Sequence, residues 1–89
     1  MLIRSQDKRI LINMNNVSSI EVGDNELRIF ADDGETIYDL GSYSAKAKAM
    51  KVLDMIQEAY ERYEYEKAFK TGLALFETFQ MPEDSEVEV

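Results

Sequence analysis

A chain of 89 residues has room for one domain, because at this size only about 60–65% of the unfolded surface can be buried and a second core is out of reach. Its 10 Lys and Arg stand against 18 Asp and Glu, a net charge of −8, so nucleic acid and anionic membrane surfaces are not expected partners. Cys and His are both absent, which removes the disulfide, the thiolate and the imidazole and leaves a non-enzymatic protein without metal or cofactor as the expectation.

The charge has no hidden asymmetry. Up to Tyr43 the chain carries 4 basic and 8 acidic residues, and after it 6 and 10, so each part is −4. A hydrophobic share of 45% suffices for a small two-layer core and argues against disorder. The opening residues lack the basic-then-apolar order of a signal peptide, and no apolar run approaches the ~20 residues of a membrane span, so a soluble, cytoplasmic chain is expected.

In chain order, Leu2 to Ser5 reads as a first short strand and Gln6-Asp7-Lys8 as a turn. Arg9 to Met14 then alternates, with Ile10, Ile12 and Met14 on one face. Asn15-Asn16 can close a tight turn before a third strand, Val17 to Val22. Gly23-Asp24-Asn25 leads into Glu26 to Ala31, where Leu27, Ile29 and Ala31 alternate with polar neighbours and Phe30, the clearest hairpin signal in the chain. Asp32-Asp33-Gly34 makes the next turn, Gly34 taking a positive φ, and Glu35 to Leu40 is a fifth strand. Hairpin-length connections throughout predict an antiparallel meander rather than βαβ units.

Ser44 to Tyr63 is the one long periodic segment. At about 100° per residue, Ala45, Ala49, Val52, Leu53, Ile56, Tyr60 and Tyr63 share one stripe, with Ala59 at its edge and Lys51, Asp54, Glu58 and Glu61 opposite. Ser44 is placed to cap this helix. Beyond Tyr63 the stripe fails, since Lys67 and Lys70 fall on the apolar side, so the packed helix ends or leaves the sheet between 64 and 72, with Gly72 as a stop. Leu73 to Met81 fits both helical and strand spacing. The residues after Pro82, Glu83 to Val89, form an acidic segment expected to be a mobile tail on a domain spanning residues 1–82.

Four segments, Ile3 to Lys8, Leu40 to Ser44, Lys51 to Gln57 and Phe79 to Asp84, carry a resemblance. Together they cover 24 of the 89 residues and make the chain look like a group of small proteins of Gram-positive bacteria and their mobile elements, whose motifs bring no catalytic role. In similar chains the stretch before Phe79-Gln80-Met81-Pro82 is rich in β-branched residues, which implies a closing strand over 75–81. A curved antiparallel sheet capped by a helix also resembles the pleckstrin-homology-like architecture. The fold expected is therefore α+β: about five short antiparallel strands, one long amphipathic helix on the sheet, and a closing C-terminal strand.

Candidate sites are few. Asp32-Asp33-Gly34-Glu35 offers hard oxygen ligands but lacks the alternating spacing of a calcium loop and reads as a turn. Arg4, Lys8 and Arg9 balance local charge. Lys46, Lys48 and Lys51 crowd the unfavourable end of the helix dipole and invite a carboxylate partner, the acidic segment being one candidate. Tyr60 and Tyr63 belong to the core stripe, whereas Tyr65, Phe69 and Phe76 fall outside it and form the candidate contact surface. These residues lead to a protein–protein interaction module with a protein partner, as a monomer or weak homodimer. The alternatives are an acidic decoy that imitates nucleic-acid phosphates and a small-ligand or peptide sensor with a pocket between sheet and helix.

Overall fold

Short alternating apolar runs build the first half of the chain into five strands, and the computed structural model describes residues 1–23, 25–69 and 78–89. β1 (Leu2–Arg4) and β2 (Leu11–Asn13) form an antiparallel hairpin; β3 (Ser19–Gly23), β4 (Arg28–Asp32) and β5 (Ile37–Ser42) form an antiparallel meander. α1 (Lys46–Phe69) follows, and β6 (Thr78–Gln80) returns beside β1. The class is α+β, as the sequence implies.

The strands are divided between two three-stranded sheets, β2-β1-β6 and β3-β4-β5. The break falls after β2, where the Asn13 side chain accepts a hydrogen bond from the N–H of Asn15 and a 3₁₀ turn over Met14–Asn16 redirects the chain. β1 is then left with a free edge, which β6 fills in parallel register with Ile3 opposite Phe79. Of the closing strand expected over 75–81, residues 78–80 are strand; Leu75, Phe76 and Glu77, like Leu73 and Gly72, lie outside the described residues.

Alternation decides what is buried. β4 turns Ile29 and Ala31 inward, both fully buried; Ile3, Ile12 and Leu40 join them from other strands, and Met81 from just after β6. α1 covers this layer with Ala49, Val52, Ile56, Ala59 and Tyr63, spaced by three or four residues as one helical face requires. Leu53 and Tyr60, placed in the same stripe by their spacing, are only half-buried. After Tyr63 the helix continues to Phe69, but Tyr65 and Phe69 are exposed, so the stripe fails where its periodicity does.

Two local expectations are corrected. Ser44 does not cap α1: the helix opens on the Ala45 carbonyl, which accepts from the N–H groups of Lys48 and Ala49. Ser44 lies one residue too early, and both its N–H and its hydroxyl donate to the Asp84 carboxylate, at 2.7 and 3.0 Å. The second correction concerns residues 83–89, which are docked and not a loose tail. Glu83 and Glu86 form a reciprocal capping box around a 3₁₀ turn (Asp84–Glu86), and Val87 is buried in the core at 4% exposure. The cationic start of α1 supplies the partners: Lys48 pairs with Asp84 at 3.3 Å and Lys51 donates to the Glu88 carbonyl. Lys46 turns instead to Glu26.

Candidate functional site

Three of the four resemblance-bearing segments meet at one junction. Ser5, 1% exposed, receives the N–H of Ile10 at its hydroxyl and donates that hydroxyl to Asp7, whose carboxylate also accepts the N–H of Arg9. These bonds hold the Asp7 carboxyl below the ordinary carboxylate range, the Ser5 hydroxyl first among the causes. The Gln6 amide bridges two neighbours, donating to the carbonyls of Ser42 and Pro82 and accepting the N–H of Ser42. Gly41 permits this close approach: a Cβ at that position would lie 3.1 Å from the Cβ of Gln6 and would press on the bridge. The Tyr43 hydroxyl donates to the Pro82 carbonyl, and burial, reinforced by the carboxylates of Glu83, Asp84 and Glu86, pushes its pKa up. The junction spends these polar groups internally; it ties β1, the end of β5 and the segment after β6 together.

The Asp32-Asp33-Gly34-Glu35 segment is a turn. Asp32 accepts from the N–H of Gly34, and one oxygen of Asp33 accepts from Glu35 and Thr36 while the other accepts the Tyr38 hydroxyl. Gly34 adopts the expected positive φ, 97°. The backbone N–H groups of Thr36 and Glu35 lower the Asp33 pKa. Among the described residues, no three His, Cys, Asp or Glu side chains come together to hold a metal ion. No helix among them is long and apolar enough to cross a membrane.

Of the expected contact surface, Tyr65 and Phe69 are 61% and 73% exposed and pack against each other with ring centroids 4.8 Å apart. Phe76 lies outside the described residues. Counting round the helix puts this pair well away from the buried stripe, on the solvent side of the C-terminal turns.

A groove of about 490 Å³ runs between β3 with its preceding turn and one side of α1. Val17 and Ser18 before β3 and Ser19 and Ile20 at its start line it consecutively; Ser19 and Ile20 alternate across the pleat, so the groove borders the beginning of the strand's edge rather than one face alone. Opposite stand Leu53, Ile56, Gln57, Tyr60 and Glu61, the i, i+3, i+4, i+7, i+8 positions of a single helical side. Among the described residues β3 pairs with β4 alone, so its other edge has no strand neighbour, and the start of that strand borders this space.

The electrostatics of the groove are one-sided. Among the described residues its lining contains Glu61 and no Lys or Arg. Glu64, one turn beyond Tyr60, accepts the Tyr60 hydroxyl, and that bond raises the Tyr60 pKa; Gln57 donates to Glu61 at 3.0 Å. Leu53 and Tyr60 are read from sequence as core because their angles fall in the apolar stripe. Their position on the same flank of that stripe, next to Gln57 and Glu61, is the signal that they border an open space instead. The chain matches no family model, and no curated protein and no solved structure shows significant similarity to it.

Proposed function

We propose that this chain works by docking another protein in the groove between β3 and α1. The observation that carries the reading is the pairing of an unfilled strand edge with a half-exposed apolar helix side, Leu53 and Tyr60, across a space within the 300–1,000 Å³ range of ligand sites. A strand edge offers backbone hydrogen bonds, and the helix side offers apolar anchors; together they suit a polypeptide better than a small metabolite. The Tyr65 and Phe69 pair extends the accessible apolar surface of the same helix. Support for an acidic decoy is weaker, because Glu26, Asp39 and Asp84 are paired with Lys46, Arg28 and Lys48, and Lys51 interrupts the acidic outer face of α1.

A photo-crosslinking side chain placed at exposed Gln57, and separately at exposed Tyr65, tests the reading in living cells. Adducts to a discrete protein from position 57 are expected. Adducts from neither position, with the variants folded, would overturn it.

A further inference from the structure

On the reading of this groove as a protein-docking site, we infer that its occupant is an extended, cationic segment that adds to the free edge of β3 as a further strand, with alternate apolar side chains against Leu53, Ile56 and Tyr60. Three features select that chemistry over others. On one side the space is bounded by the start of β3, which among the described residues has no second strand neighbour, and such an edge carries N–H and C=O groups that only another extended chain can satisfy in series. The helix wall from Leu53 to Glu61 is about 12 Å long at ~1.5 Å per residue, which matches roughly four residues of extended chain at ~3.3 Å each.

Charge supplies the third feature. Glu61 lines the groove, Glu64 stands beside Tyr60, and Glu21 is exposed on β3 itself, in a chain of net charge −8. Among the described residues the lining has no cation to offset them. An extended partner with lysine or arginine at the outward positions gains attraction along the rim, whereas an acidic partner, or a second copy of this acidic chain, is repelled.

The probe is a fluorescein-labelled, end-capped heptapeptide alternating lysine with valine and leucine, compared with the same peptide carrying glutamate for lysine and with one N-methylated along a single edge. Anisotropy and amide chemical shifts of the full chain are read together. The lysine peptide is expected to bind, shifting amides of Ser19 to Val22 and of the Leu53 to Glu61 turns. N-methylation is expected to weaken it about tenfold by deleting edge hydrogen bonds. The surface substitutions Gln57→Lys with Glu61→Lys, which leave the core untouched, should invert the preference toward the glutamate peptide.

Shifts confined to residues outside the groove, equal binding of the N-methylated peptide, or no binding at millimolar peptide would each overturn strand addition. So would a concentration-dependent dimer in sedimentation that Gln57→Lys with Glu61→Lys abolishes, because the occupant would then be a second copy. Crosslinks from position 57 to a cellular protein without any response to the peptides would leave the docking site standing and refute its proposed occupant alone. Failure of both would remove the site.

Discussion

Val87 offers the sharpest test of the docked C-terminal segment. Truncating Val87 to Ala removes two methyl groups from a side chain 4% exposed in the core. At about 0.8 kcal/mol of transfer free energy per group, with a cavity contribution added, the loss is ~1.5–2.5 kcal/mol. For a domain of this size that corresponds to a fall in Tm on the order of 10 °C. The loss has a ceiling. If the weakened segment peels away, the cost cannot exceed the net free energy of docking, which is already reduced by the ~1–2 kcal/mol of backbone entropy spent per ordered residue. A chain ending at Pro82 measures that ceiling directly, so its Tm should lie at or below that of Val87→Ala. Thermal unfolding followed by circular dichroism, with limited proteolysis of 83–89 to detect peeling, reads both. If the truncated chain and Val87→Ala both melt within about 1 °C of wild type, a difference worth only ~0.2 kcal/mol, then 83–89 contributes nothing and its docking is refuted.

Ser5→Ala should cost ~1–3 kcal/mol in urea titration, because the substitution strips a partner from the N–H of Ile10 inside a site that is 1% exposed. Ile56→Ala should cost ~2–5 kcal/mol, and Leu53→Ala less, since Ile56 is 3% exposed while Leu53 is half-buried beside the groove; equal losses would place Leu53 in the core. Asp84 has its pKa held below its ordinary value of 3.8 by the Ser44 N–H, then by the Ser44 hydroxyl and Lys48. Its stabilising contribution is therefore complete above that ordinary value and disappears as pH falls through the lower folded value. The Tm gap between wild type and Asp84→Asn should narrow below about pH 4; a gap that widens on acidification contradicts the contact.

What the sequence discloses depends on whether the deciding interaction is periodic or long-range. The strand alternation of Leu27, Ile29 and Ala31 and the helix stripe from Ala49 to Tyr63 report burial directly, since a period is a property of neighbouring residues. Ile29 and Ala31, and Ala49, Val52, Ile56, Ala59 and Tyr63, are buried where their spacing places them, whereas Leu27 lies in the turn before β4 and, like Leu53 and Tyr60, is half-buried. The division into two sheets falls at a 3₁₀ turn where the Asn13 side chain takes one backbone N–H, and the parallel placement of β6 on β1 joins residues some 75 positions apart. Neither leaves a local pattern. The groove is intermediate: its helix wall is spelled out in the spacing of Leu53, Ile56, Gln57, Tyr60 and Glu61, but its strand wall requires knowing that β3 lies at an edge.

Residues 83–89 show why composition alone misplaces a segment. Four acidic residues after a proline resemble a solvated tail, and taken singly they would be. Lys46, Lys48 and Lys51 lie at the end of α1 where the helix dipole disfavours cations, and that unfavourable placement is relieved when acceptors approach from outside the helix. Two of the three are met by the C-terminal segment, at Asp84 and the Glu88 carbonyl, and the third by Glu26. With the ends of the turn fixed by the Glu83 and Glu86 capping box, one valine is enough to anchor the segment in the core. The same logic separates the junction from the groove. At the junction Ser5, Gln6, Tyr43, Ser44 and Asp84 spend their polar groups on one another and on backbone, so it serves to close the fold. Along β3 the backbone edge has no strand neighbour among the described residues, and the exposed Glu61 meets only its helix neighbour Gln57, which is why binding is proposed there.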